Sequence, residues 1–266
     1  MKKWLGIGLS VAVVVTAVAA PWLAPRDPLA TDFAASLLPP GSPGHLLGTD
    51  QLGRDLLARV LHGARLALFI GVSTVLITAA VGGLLGLVAG FVERWPAAVL
   101  MRVADVQLSF PFILLAMTIN AIVGLGLRNI ILSLSAAGWV VYARVVRGEV
   151  LSVKQRDFVQ AAAALGMSRV SLLFRHVLPN VVPSIIVVAS LQFSSFIVAE
   201  AAISFLGFGV QPPTPAWGSM LSESRDFLYV AWWLAAFPGA ALAVTALSVN
   251  LLGDWLRDTL DPKLRV

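Results

Sequence analysis

Residues 66–92 read LALFIGVSTVLITAAVGGLLGLVAGFV, with Arg65 before them, Glu93 after them and no charged side chain between. A bilayer hydrocarbon core takes about 20 apolar residues as a helix. This run of 27 exceeds that length. Helix is the expected form, because in hydrocarbon every backbone N–H and C=O must bond within its own segment. Gly82, Gly86 and Gly90 recur at every fourth position, a stripe that lets a second helix backbone approach closely. The stretch therefore predicts a membrane-spanning helix packed tightly against another.

Working outward, uncharged runs recur at residues 4–22, 106–127, 129–143 (continuing past Arg144), 177–199 and 227–253. With 66–92 they make six predicted spans. Only 12% of the chain is charged, against about 25% in soluble domains, and mean hydropathy is +0.88. The polar–apolar alternation of a transmembrane barrel is absent. The reading is an all-α integral membrane protein. Residues 1–24 form the first transmembrane helix, 25–65 an external (periplasmic or extracellular) segment, and 66–266 a core with the other five spans. Lys2, Lys3, the following apolar run and Ala17-Val18-Ala19 resemble a cleavable leader. The run is long enough to span, however, and five spans follow, so an uncleaved first helix is expected. With no cysteine, disulfide and thiolate chemistry are excluded.

Basic residues set orientation, since cytoplasmic loops carry the excess of Lys and Arg. With the N-terminus inside, the inner segments hold Lys2, Lys3, Arg94, Arg102, Arg144, Arg147, Lys154, Arg156, Arg169, Arg175, Arg257, Lys263 and Arg265. The outer segments hold Arg26, Arg54, Arg59, Arg65, Arg128 and Arg225, a ratio of 13 to 6. Both termini are expected in the cytoplasm. The net charge of +5 follows from that bias. No basic stripe interleaved with aromatics points to nucleic acid.

The external segment opens with loop residues, Pro25 to Gly44. Thr49-Asp50 then offers a helix cap, followed by Leu52, Leu56, Leu57, Val60 and Leu61 at helical spacing, with Asp55 and Arg59 four apart on the polar side. This predicts an amphipathic helix on the outer membrane face or a surface helix packed on the bundle.

Residues 151–180 form the longest inner loop. Phe158, Ala161, Ala162 and Leu165 fall at helical spacing, Gly166 interrupts, and Ser168 caps a second helix carrying Val170, Leu173, Phe174 and Val177. Pro179 is expected to end that helix, and Pro183 to open the next span. On spacing alone this is a plain cytoplasmic hairpin, or a knob shaped to dock in a groove of another protein.

The run Gln160-Ala161-Ala162-Ala163-Ala164-Leu165-Gly166, followed by Arg175-His176-Val177-Leu178-Pro179-Asn180, resembles the EAA loop of binding-protein-dependent ABC importer permeases. The resemblance covers nearly the whole chain. Gly48-Thr49-Asp50-Gln51-Leu52-Gly53-Arg54-Asp55, the run from Glu200 to Pro213, Pro215-Ala216-Trp217-Gly218, Asn250 to Asp258, and Asp261-Pro262-Lys263-Leu264-Arg265 are similar to the dipeptide, oligopeptide and nickel permease group, "C"-type subunit.

The resemblance implies a coupling loop that enters a cleft on an ATPase subunit, carried by Asp157, Gln160, Ala161, Ala162, Gly166, Arg175, His176, Leu178, Pro179 and Asn180. It implies three kinds of partner: a homologous "B"-type permease, two ATPase subunits and an extracytoplasmic solute-binding protein. The family's usual Glu is replaced by Gln160, which removes any salt bridge that Glu would make. The chain carries no G-x-x-x-x-G-K-[ST] phosphate loop. It is therefore expected to be a transport subunit without enzymatic activity or cofactor of its own. The intact pattern leans toward peptides, with nickel or glutathione as alternatives.

Glu200 lies 17 residues beyond Pro183, roughly 25 Å along a helix and so near the outer mouth. An intramembrane carboxyl is a functional candidate. A structural Glu bonded to the 211–226 loop, with Arg225 as partner, is favoured. Asn120, Gln192, Ser194 and Asn250 either line a pathway or gate, or bond between helices. His45, His62 and His176 stand apart from other ligand types, so no metal site is expected. An ion-driven transporter would favour internal repeats and midplane charges; a membrane enzyme would need a catalytic constellation. Neither pattern is evident.

Overall fold

The computed structural model describes residues 2–92 and 95–260. Arg94 and the closing motif from Asp261 to Arg265 lie outside the described residues. The helices are α1 (Lys2–Val18), α2 (Ala20–Leu23), α3 (Leu56–Val92), α4 (Trp95–Leu108), α5 (Phe112–Val123), α6 (Leu127–Lys154), α7 (Asp157–Ala164), α8 (Arg169–Leu172), α9 (Leu178–Phe205), α10 (Trp217–Glu223) and α11 (Trp233–Leu260). Among the described residues four continuous helices are long and apolar enough to cross a membrane: α3, α6, Arg169–Phe205 and Trp233–Thr259. The pair α4 and α5 has the combined length and apolarity but is bent by 95°, and α1 is a shorter apolar helix.

The expected third span, 106–127, is thus two helices. Pro111 has no N–H to donate and biases Phe110 away from helix. Helix α4 therefore stops at Leu108, with Ser109 N–H bonded to Val106 O and Phe110 N–H to Gln107 O, both at 3.1 Å. Gln107 pins the bend to α6. Its Nε2 donates to the carbonyls of Ala136 (3.0 Å) and Ala137 (2.8 Å), and its Oε1 accepts from Trp139 Nε1 at 3.0 Å.

The stripe Gly82, Gly86, Gly90 lies along α6, as its spacing suggests. A Cβ on Gly90 would sit 2.7 Å from Val150 Cβ, and one on Gly86 would sit 2.9 Å from Ala143 Cα. Hydrogen is thus required at these positions for the two backbones to pack. Helices α1 and α11 run side by side, with Ser10 Oγ bonded to Ser248 O at 3.1 Å.

The separate amphipathic helix expected near residues 50–61 does not form. Its apolar residues from Leu56 onward belong to the first turns of α3, which runs unbroken into the apolar stretch. Its cap is Asp55, whose Oδ1 accepts from Ala58 N–H at 2.9 Å. Asp50 instead closes the preceding turn, accepting from Leu52 and Arg54 N–H. Both carboxylates suit a cap, and helical periodicity cannot choose between them. Nor is Arg59 on a polar face. It is 1% exposed, because the segment before α11 folds over it.

Proline does not end the helix after α8 either. A π turn over Leu173–Val177, closed by Leu178 N–H to Leu173 O, joins α8 to α9. The turn ends just before Pro179, which falls in the first turn of α9, and the helix continues through Pro183 in its interior.

Candidate functional site: a hairpin at one end, a polar groove in the bundle

At the end of the bundle where α6 stops and α9 begins, α7, α8 and the π turn form a compact hairpin. Val159, Ala162, Leu172 and Val177 are buried against Val146, Val150 and Val153 of α6, Leu87 of α3 and Val181 of α9. Gly166 has φ +83°. Its N–H bonds Ala163 O at 3.0 Å, and Met167 N–H bonds Ala162 O at 3.2 Å. These two bonds make a Schellman motif, which satisfies the last carbonyls of α7. Ser168 Oγ accepts from Ser171 N–H at 3.3 Å, capping α8.

The outer face of the hairpin is apolar yet uncovered. Leu165 is 89% exposed, and Phe158, Val170 and Phe174 are also exposed. The rings of Phe158 and His176 lie 6.2 Å apart and bring the two legs together. Asp157 sits in the first turn of α7, favourably placed for the helix dipole. Gln160 folds back, its Nε2 bonding Gln155 O at 3.2 Å. Ala161 and Arg175 are exposed, Ala162 is buried and Leu178 is half-buried. Pro179 and Asn180 occupy the first turn of α9, where Asn180 Nδ2 donates to His176 O at 2.7 Å.

The sequence-selected polar residues of the bundle separate into two groups. Asn120, fully buried, donates from Nδ2 to Phe208 O, and its Oδ1 accepts from Ser133 Oγ at 3.4 Å. It brackets α5, α6 and the loop after α9. Glu200 is also buried, and its Oε1 accepts from Ser204 Oγ at 2.6 Å. Ser204 Oγ in turn accepts from Val210 N–H at 3.0 Å, so Glu200 holds the loop through Ser204. The expected partner, Arg225, donates instead to Phe205 O and Ser222 Oγ and stacks over the Phe205 ring. Its planar guanidinium finds a ring and a carbonyl at the helix end, one turn beyond the carboxyl.

Ser194 and Asn250, by contrast, share one groove of about 570 Å³ with Pro111, Phe112, Ile113, Ser195, Val198 and Ala199. Gln192 is half-buried nearby on α9 and is not among the groove residues.

At the opposite end the structure assembles a group that helical spacing did not reveal. Arg54 Nε pairs with Asp50 Oδ2 at 2.6 Å, and Arg54 Nη2 and Arg59 Nη2 meet Glu223 Oε2 at 3.1 and 3.2 Å. This cluster ties the start of α3 to α10, 164 residues away in sequence from Arg59. Trp217 Nε1 to Val60 O and Trp233 Nε1 to Thr49 O close the same end. The only signal in sequence was the density of Asp and Arg in residues 50–59.

The fold and its polar pattern define a multi-pass membrane protein with an uncovered apolar hairpin at one end and an ion-paired cluster at the other. The chain belongs to the binding-protein-dependent transport system inner membrane components, whose family model matches residues 82–266. It is 45% identical over 266 residues, 98% of this chain and 88% of the relative, to the di/tripeptide transport system permease protein DppC of Pseudomonas aeruginosa. It is 42% identical to the probable D,D-dipeptide transport system permease protein DdpC of Escherichia coli K12, with 95% of this chain and 85% of the relative covered. It is 44% identical to the glutathione transport system permease protein GsiD of Pectobacterium atrosepticum, over 84% of this chain and 74% of that one. It is a permease subunit of an ABC importer.

Proposed function

We propose that this chain forms half of the translocation pathway for small peptides, paired with a homologous permease and driven by two ATPase subunits. The observation that carries the reading is the uncovered apolar face of the hairpin, Phe158, Leu165, Val170 and Phe174, on a chain of this family. Such a face in water signals a protein partner. Its firm seating on α3, α6 and α9 means that a push on the hairpin is passed to the spans rather than absorbed.

In this reading α1, α3, the bent pair α4–α5, α6, α9 and α11 are six spans, with both termini and the hairpin in the cytoplasm. The ion-paired cap faces outward and receives solute from a binding protein. Peptides are favoured because relatives named for di- and tripeptides match nearly the full chain. Glutathione, itself a peptide, is the second candidate, and nickel the third.

The test is reconstitution in proteoliposomes. Peptide uptake is expected only with both permeases, ATPase subunits, binding protein and ATP, and the purified chain alone is expected to hydrolyse no ATP. Robust ATP turnover by the isolated chain, or uptake without nucleotide, would overturn the reading.

A further inference from the structure

The groove between the α4–α5 bend, α9 and α11 has a lining unlike that of a lipid-facing surface. Asn250 lies on α11, 17 residues after Trp233 and 10 before Leu260, so roughly 25 and 15 Å from the helix ends. That is bilayer depth. Its side chain is exposed, and among the described residues nothing hydrogen-bonds its amide. An unbonded amide in hydrocarbon costs about 2–7 kcal/mol, so this side of α11 does not face lipid.

Ser194 and Ser195 of α9 line the same groove. Ser194 Oγ donates to Ala246 O at 3.3 Å and Ser195 Oγ to Leu191 O at 3.3 Å. Each has its hydrogen committed to a helix carbonyl and retains acceptor capacity, Ser194 from a buried position and Ser195 from an exposed one. Asn250 supplies both a donor and an acceptor. The remaining wall, Phe112, Ile113 and Val198 among it, is apolar, and among the described residues no ionisable side chain lines the groove.

We infer that this groove is the chain's solute-contact surface, and that Asn250, with Ser194 and Ser195, hydrogen-bonds the main-chain amides of a passing peptide. The inference rests on the peptide reading proposed above. Donor, acceptor and lone pairs match a peptide unit, which every peptide carries whatever its side chains. A wall free of charge neither traps nor repels an ionised side chain. Pro111 contributes by opening the space, since its break turns α5 away from the line of α4. Asn250 is a specificity-determining residue in this sense: its neutrality is what makes the passage indifferent to solute charge.

The complete complex in proteoliposomes, loaded with saturating binding protein, is assayed with labelled dialanine, alanyl-lysine and alanyl-glutamate. Asn250→Asp is expected to raise the alanyl-lysine to alanyl-glutamate uptake ratio about tenfold over wild type, since a fixed carboxylate a few ångströms from a unit charge acts strongly at low dielectric. Asn250→Gln keeps the wild-type ratio. Because the chain has no cysteine, Asn250→Cys provides a second readout. A water-soluble methanethiosulfonate should modify it in the assembled complex, and dialanine turnover should slow the modification.

An unchanged ratio in a normally assembled Asp variant overturns the inference. So does a thiol that is open in the isolated chain but sealed in the complex, which would put the partner permease in the groove. If wild type takes up none of the three peptides, the peptide reading itself falls and takes the inference with it. That result is distinct from normal uptake with an unaltered ratio.

Discussion

Replacing Gly166 by valine tests the coupling role proposed for the hairpin most directly. Position 166 has φ +83°, and a Cβ built there meets no atom within 4 Å. The Cβ itself is unobstructed, so the expected effect is backbone strain. A β-branched residue in left-handed geometry is a marked outlier, with strain of about 1–3 kcal/mol. Helix α7 is only eight residues long, too short to be stable by itself, and its C-terminal carbonyls depend on the bonds Gly166 N–H to Ala163 O and Met167 N–H to Ala162 O. Strain of that size shifts the hairpin between its present angle and a relaxed one by a factor of about 5–150. In the proposed coupling role, Phe158 and Phe174 would then meet the ATPase partner misaligned, while the spans are untouched.

The assay is peptide-stimulated ATP hydrolysis by the reconstituted complex, alongside the amount of chain in the membrane. Gly166→Val is expected to lose most of the stimulation at normal membrane content. Gly166→Asn, which tolerates positive φ, should retain most of it. Normal stimulation by the valine variant in an assembled complex would refute the coupling role. Equal loss in both variants would refute the conformational argument.

Three further outcomes are expected. In cells stripped of any outer barrier, an impermeant thiol reagent should label Leu46→Cys and spare Leu165→Cys, and the opposite pattern would invert the topology. Gly86→Leu should destabilise the chain by about 1–3 kcal/mol through overpacking against Ala143 and Val146. Gly83→Ala, where the nearest atom is 3.8 Å away, should leave the unfolding temperature in detergent unchanged; equal sensitivity at both positions would remove the close-approach argument. Arg59→Ala removes one of the two guanidinium groups on Glu223, leaving Arg54 at 3.1 Å, a loss of about 1.5–3 kcal/mol for a hydrogen bond between charged groups. It should appear as a lower unfolding temperature, and no shift would mean the cluster is dispensable.

The hydrophobic stretches, the glycine stripe, the Schellman turn at Gly166 and the cap at Ser168 were legible in sequence because each depends on a few neighbours along the chain. Length without charge forces helix in hydrocarbon, period-four glycine marks a close crossing, and a glycine after an alanine run ends a helix in left-handed geometry. The family resemblance added partners that no spacing could indicate.

Other features depended on contacts distant in sequence. Whether Asp50 or Asp55 caps α3, and whether Arg59 meets water or a carboxylate, was decided by Glu223, brought in with α10. Pro111 broke its helix while Pro179 and Pro183 did not: a π turn precedes Pro179, and Val177 and Val181 on either side of it pack against Val146 and Val150. Glu200 and Asn120 read alike with Ser194 and Asn250 as polar residues in apolar runs. Only the packing of α5, α6, α9 and α11 turned the first two into buried braces, tied Ser194 to the Ala246 carbonyl at the groove's edge, and left Asn250 exposed in the groove wall. Periodicity says which residues share a helix face, whereas the neighbour that covers that face is a property of the assembled bundle.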